Sequence, residues 1–104
     1  MATPFTVVTE DRGDQAVVLV AGEIDLATAP RLEETLSRLI DRGATRLILD
    51  LSSTAFVDSN STAVFLEAHK RLSARDGALT LRSPRPNVRK MLQITALDRL
   101  VRVD

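Results

Sequence analysis

The sequence predicts an α/β domain built on a mixed, largely parallel sheet of four to five strands packed with three to four helices. Three observations carry that expectation. Short β-branched runs alternate along the chain with longer stretches whose apolar residues recur at helical spacing. The first two runs are close enough for an antiparallel hairpin, while the later ones are separated by helix-length crossovers that force parallel, right-handed connections. With 104 residues, 44% of them hydrophobic, the chain has material for one core and no room for a second, so residues 1–104 are expected to form a single domain.

Each element follows in order. Phe5–Thr9 reads as a short first strand and Ala16–Ala21 as a buried second one, with Glu10–Asp14 as the polar turn between them. Gly22–Ala27 leads into a helix that has Thr28 as candidate N-cap and Pro30 in its first turn. Leu32, Leu36, Leu39 and Ile40 define its apolar face, Glu33, Glu34, Arg38 and Asp41 fall away from it, and Gly43 stops it. Leu47–Leu51 is the third strand. Ser52–Phe56 is expected to be a loop, followed by a second helix from near Ser59 to about Ala74 that buries Ala63, Phe65, Leu66, Ala68 and Leu72. After a turn at Asp76-Gly77, Ala78–Arg82 is the fourth strand. Pro84 and Pro86 open a third helix over Asn87–Ile94, with Val88, Met91 and Leu92 toward the core, and Leu100–Val103 is the candidate for a small edge strand.

Composition excludes several classes of function. There is no cysteine, hence no disulfide, thiolate metal site or cysteine nucleophile, and the single histidine, His69, leaves no imidazole pair for zinc. Three phenylalanines with no Tyr or Trp offer no stacking platform for single-stranded bases. Fourteen basic and fourteen acidic side chains give a net charge of zero, so no global field draws nucleic acid or anionic lipid. The balance is uneven along the chain, with a net of −5 over residues 1–34 and +4 over residues 82–104. The cluster Arg82, Arg85, Arg89 and Lys90 offers a contact for nucleic acid or lipid headgroups, but the favoured reading is a solvated helix face, since no docking motif accompanies it. Nothing near Met1 resembles a targeting segment, and Ala16–Ala21 is too short to span a bilayer, so a soluble, cytoplasmic protein is expected.

Parallel topology brings two loops to one end of the sheet: the loop with Asp25, and the loop with Asp58 and Ser59. Carboxyl ends of parallel strands are where α/β domains build sites. Ser59 stands where a helix N-cap belongs, with its hydroxyl accepting from an early helical N–H. Asp25 either satisfies a turn or faces a partner, and Asp50 reads as a structural carboxylate at a strand end. Asp58, Ser59 and His69 do not make a triad, because ten helical residues between Ser59 and His69 span about 15 Å.

Two segments together resemble the STAS family, the module of bacterial anti-anti-sigma factors and of sulfate-transporter tails. Gly22-Glu23-Ile24-Asp25 matches its Gly-Glu-Leu/Ile-Asp, and Leu49-Asp50-Leu51-Ser52 with Phe56-Val57-Asp58-Ser59 matches its Leu-Asp-Leu…Phe-x-Asp-Ser. Ser83-Pro84, Val88 to Leu92, and Thr95-Ala96-Leu97 (where Ser/Thr-Gly-Leu is usual) extend the match over nearly the whole chain. The centre departs from the family's Asp-Ser-Ser/Thr-Gly-Leu, reading Asp58-Ser59-Asn60-Ser61-Thr62: Ser61 fills space that glycine leaves for a partner's backbone, and Thr62 removes an apolar contact.

The resemblance implies the STAS fold and the function of an anti-sigma factor antagonist. In the family, the serine after that Asp is phosphorylated by an anti-sigma factor that is itself a serine kinase, and a PP2C-type phosphatase resets the switch; the dephosphorylated form binds the anti-sigma factor and releases the sigma factor. Carried over, the phosphoacceptor is Ser59 and the partner interface is Asp25, Asp58, Asn60, Ser61 and Thr62. A binding module is implied, not an enzyme, with no cofactor, no metal, no direct nucleic acid and no membrane insertion. Two other uses of the domain stand beside this one: an accessory subunit of a membrane lipid-transport ATPase, and a module that binds a small ligand or nucleotide. A phosphate on Ser59 would gain the positive end of the helix dipole while adding roughly −1.5 to −2 charge beside Asp58, a local block and not a refolding.

Overall fold

The computed structural model describes residues 3–104. Six strands and three α-helices run in the order β1 (Thr6–Arg12), β2 (Gln15–Ile24), α1 (Ala29–Asp41), β3 (Arg46–Asp50), β4 (Thr54–Val57), α2 (Ala63–Ser73), β5 (Ala78–Arg82), α3 (Pro86–Ile94) and β6 (Arg102–Val103), with a 3-10 turn at Leu97–Arg99. Strand order across the sheet is β1-β2-β3-β5-β6, and β4 pairs with the far half of β2. Only β1 and β2 are antiparallel; every other pairing is parallel. The sheet is therefore mixed and mostly parallel, as the crossover lengths require.

Register explains the core. Val18, Leu49, Leu81 and Val103 fall in one row across β2, β3, β5 and β6, and Ala16, Leu47 and Leu79 fall in the next. These side chains point to the face covered by the helices, where Leu32, Leu36, Leu39 and Ile40 of α1 and Phe65, Ala68 and Leu72 of α2 close the core. On the opposite face Asp50 stands between Leu19 and Arg82. Asp50 Oδ1 accepts from the Ser52 amide at 2.9 Å and its hydroxyl at 2.6 Å, and Oδ2 pairs with Arg82 at 3.0 Å. Burial works to raise the Asp50 pKa, but the Ser52 bonds and the Arg82 guanidinium outweigh it and hold the carboxyl below its ordinary range.

Several sequence expectations need correction. The stretch Glu10–Arg12 is strand, not turn: it pairs with Gln15–Val17 around the two-residue turn Gly13-Asp14. Charged residues there suit an edge strand, whose unpaired backbone they shield from other chains. Ser52–Phe56 is not simply a loop. A tight turn, closed by Thr54 N–H to Leu51 O at 3.0 Å, is followed by β4, which pairs with β2 beyond the register shift at Gly22 and Glu23. The buried Thr54 hydroxyl donates to Val20 O at 2.7 Å and fixes that junction. In α2, Val64 is buried in place of the expected Ala63, which is exposed, and Leu66 is only half-buried, as is Met91 in α3. The edge strand shortens to two residues because the 3-10 turn uses the preceding ones. At the end of α1, Gly43 N–H bonds Ile40 O at 3.0 Å and Ala44 N–H bonds Leu39 O at 3.1 Å, the paired closure that glycine at positive φ permits.

Candidate functional site

The site lies at the carboxyl ends of β2 and β4. Ile24 and Val57 are register partners in that parallel pair, and the Asp58 amide continues the ladder by donating to Ile24 O at 3.1 Å. Asp25 and Asp58 are thus the first residues past two adjacent strands. The shared end that topology demands is present, but β4, not β3, delivers Asp58 to it.

Asp25 organises the approach to α1. Its Oδ1 accepts from the Ala27 amide at 2.9 Å and the Thr28 amide at 3.1 Å, and its carbonyl accepts from Ala29 N–H at 2.8 Å. Thr28 is the residue before the helix but does not cap it with its side chain: its hydroxyl donates to Glu23 O at 2.7 Å and accepts from the Asp25 amide at 2.9 Å. Asp25 is half-buried, so the carboxylate that holds this turn is also open to solvent.

Asp58 takes the role expected of Ser59. Its Oδ1 accepts from Ser61 N–H at 2.6 Å, the pattern of an aspartate capping a helical turn. Residues Ser59–Thr62 form that turn, and α2 proper begins only at Ala63. The Ser61 side chain and amide, with the Asn60 amide, stabilise the Asp58 carboxylate, and their sum outweighs a small opposing effect of burial and lowers its pKa. The aspartate wins the cap because an ionised acceptor makes a stronger bond to N–H than a hydroxyl does.

Ser59 is consequently left free. It is exposed, and its hydroxyl has no hydrogen-bond partner among the described residues. Beneath it the Thr62 hydroxyl donates to Ser59 O at 2.6 Å. Ser61 and Thr62 are each only 5% exposed, so they support the turn from inside, whereas Asn60 lies on the surface. An unengaged primary hydroxyl on a braced, exposed turn is chemically an acceptor for group transfer. His69 sits half-buried a long way down α2, and among the described residues no three His, Asp or Glu side chains gather closely enough to hold a metal ion.

Two surroundings were not visible in the sequence. Ser59 borders a groove of about 300 Å³ with Leu66, Thr95, Leu97 and Leu100. On the other side of the turn Leu26 is 84% exposed. An apolar residue between Asp25 and the start of a helix, outside any strand or helix periodicity, is the only signal that marked it. The basic cluster is partly structural: Arg82 pairs with Asp50, Arg85 Nε donates to Ser52 O at 3.0 Å, and Asn87 Nδ2 donates to Ala55 O at 2.7 Å, pinning α3 to β4. No helix among the described residues is long and apolar enough to cross a membrane.

Comparison with known proteins places these features in a context. The family model for the STAS domain matches residues 6–104. The anti-sigma-B factor antagonist of Listeria monocytogenes is 31% identical over 90 residues, covering 86% of this chain and 79% of that protein. Among solved structures, an anti-sigma factor antagonist from Mycobacterium paratuberculosis superposes with a TM-score of 0.87 at 28% identity, covering 99% of this chain and 89% of that one. The anti-sigma factor antagonist SpoIIAA in its unphosphorylated form gives a TM-score of 0.83 at 24% identity, covering 97% and 88%, a likeness of fold.

Proposed function

The chain belongs to the STAS domain family, and from that premise we propose that it is an anti-sigma factor antagonist whose partner is an anti-sigma factor with serine kinase activity. Unphosphorylated, it binds that partner and frees the sigma factor; phosphorylated at Ser59, it lets go, and a PP2C-type phosphatase restores it. The observation that carries this reading is the free, exposed Ser59 hydroxyl on a turn braced by the Ser61 amide bond to Asp58 and the Thr62 hydroxyl bond to Ser59 O. In the transfer, Ser59 Oγ bonds to the γ-phosphorus of the partner's ATP, ADP leaves, and the hydroxyl proton passes to a base of the kinase.

Asp25, Asp58 and Asn60 meet the partner directly, and Ser61 and Thr62 act from beneath by holding the turn. The chain is a regulatory binding protein of the cytoplasm and not itself an enzyme. The names of the relatives, anti-sigma factor antagonists, support the regulatory binding role. The test is intact-mass measurement after incubation with ATP and each candidate anti-sigma kinase of the source organism. One added phosphate on the unmodified chain and none on S59A is expected. No phosphate with any kinase, or equal labelling of S59A, overturns the reading.

A further inference from the structure

The reading above leaves the chemistry of the partner open, and the arrangement of charge around the site narrows it. None of the six ion pairs of the described residues involves a carboxylate of the Ser59 turn or of the walls of the neighbouring cleft between α1 and α2 at its mouth: they are Glu10–Arg12, Asp11–Arg42, Asp14–Arg46, Asp41–Arg71, Asp50–Arg82 and Arg102–Asp104. The carboxylates near that end of the molecule, Glu23, Asp25, Glu33, Asp58 and Glu67, have no cationic partner among the described residues. Arg31, the one basic residue of the first turns of α1, lies over the Phe5 ring at 5.0 Å.

The cleft between α1 and α2 starts at this end. It measures about 550 Å³ at its mouth, where Leu26, Pro30 and Ala63 are exposed, and about 170 Å³ further along. Glu33 on α1 and Glu67 on α2 line both parts from opposite walls, over a floor that includes Val64. At the far end Arg71 is committed to Asp41 at 2.6 Å and Ser37 at 2.9 Å, so it does not neutralise them. Carboxylates are seldom left facing each other over apolar surface without a cation between them, since each repels the other.

We propose that this α1–α2 cleft is the docking groove for a segment of the partner protein carrying arginine or lysine together with leucine-like side chains. The cation lies between Glu33 and Glu67, and the apolar side chains cover Leu26, Pro30 and Ala63. The inference rests on the protein-binding role given above and adds to it where affinity resides: the groove holds the partner, and the turn whose Asn60 and Ser61 line its mouth presents the neighbouring Ser59 to the phosphate.

The test uses the ¹⁵N-labelled full chain titrated with two short helical peptides, one alternating leucine pairs with arginine pairs and one with glutamate in place of arginine. Amide shifts at Leu26, Glu33, Val64 and Glu67 with the arginine peptide only are expected, with affinity falling as salt rises. The double variant E33Q/E67Q, altered at two exposed positions, keeps the wild-type spectrum elsewhere and binds about fivefold more weakly. Shifts confined to other surfaces, equal response to both peptides, or unchanged affinity of the double variant overturns the proposal. With the kinase that labels Ser59, the same variant raises KM and leaves kcat unchanged; an unchanged KM also overturns it. Failure of every kinase to label Ser59 while the arginine peptide still maps to the cleft removes the switch and leaves the groove standing.

Discussion

At the scale of single residues, the division of labour between Asp58 and Ser59 decides what the site can do. The carboxylate binds the Ser61 N–H at 2.6 Å and the neighbouring hydroxyl is released to the surface. Had Ser59 been the cap, phosphorylation would have had to break an internal hydrogen bond; here it breaks none. The same chemistry sets a dependence on pH. Asp50 and Asp58 both titrate below the ordinary value of 3.8 in the folded protein, because hydrogen bonds favour their charged forms. A depressed folded pKa stabilises the fold fully above the unfolded value, and that contribution is lost as pH falls through the folded one. The urea midpoint is therefore expected to decline as pH drops below 3.8, with a shallower decline in D50N, which removes one of the two carboxylates. A midpoint that is flat across that window contradicts the assignment.

At the scale of elements, two backbone positions give opposite expectations. Gly77 ends the turn after α2, and a Cβ there would sit 2.0 Å from Thr45 O, a backbone atom of the segment leading into β3. G77A should cost at least about 3 kcal/mol in urea unfolding, the upper end of overpacking effects, because that carbonyl cannot swing aside as a side chain would. Ala96, by contrast, holds the left-handed conformation at φ 61° between α3 and the 3-10 turn. A96G should stabilise by about 1 kcal/mol, since glycine adopts that region without the Cβ clash. The sequence shows the position through Thr95-Ala96-Leu97, where its family has glycine, but not the angle.

What else was legible divides along similar physical lines. Long periodic segments such as Leu32–Ile40 and alternating strands such as Ala78–Arg82 could be placed to within a residue, because each carries its own period. Thr54–Val57 could not: four residues do not establish an alternation, and what makes them a strand is the free edge that the second half of β2 offers after the shift at Gly22. The apolar spacing predicts a start of α2 near Ser59, earlier than the observed Ala63, for a related reason. Residues Ser59–Thr62 turn helically without completing an α-helical ladder, and only the Asp58 bond to Ser61 tells cap from first turn. That Asp25 and Asp58 share one end of the sheet was readable, since parallel crossovers leave no other arrangement.

At the scale of the whole molecule, a net charge of zero conceals an acidic first third, which lends Asp25 and Glu33 to the Ser59 end and the α1–α2 cleft, and a basic stretch over α3 and the final residues. A phosphate on Ser59 adds charge of the same sign as these carboxylates. On the proposed switch, release of a basic partner is assigned to the phosphate's bulk on the turn and to its repulsion of the diphosphate left on the kinase's nucleotide. Because Ser59 is exposed and unbonded, the fold itself is not asked to change. Amide spectra of the modified and unmodified chains should differ only near Asp58–Ala63 and the adjoining Thr95–Leu100 groove; widespread shifts across the sheet would contradict a local switch.

The most direct measurement of the central claim is the affinity of the anti-sigma kinase for the unphosphorylated chain and for the chain fully phosphorylated at Ser59, taken by calorimetry under the same salt and nucleotide. A Kd at least about tenfold weaker for the phosphorylated form, equivalent to about 1.4 kcal/mol, is the expected result. Equal affinity of the two forms would contradict Ser59 as the switch.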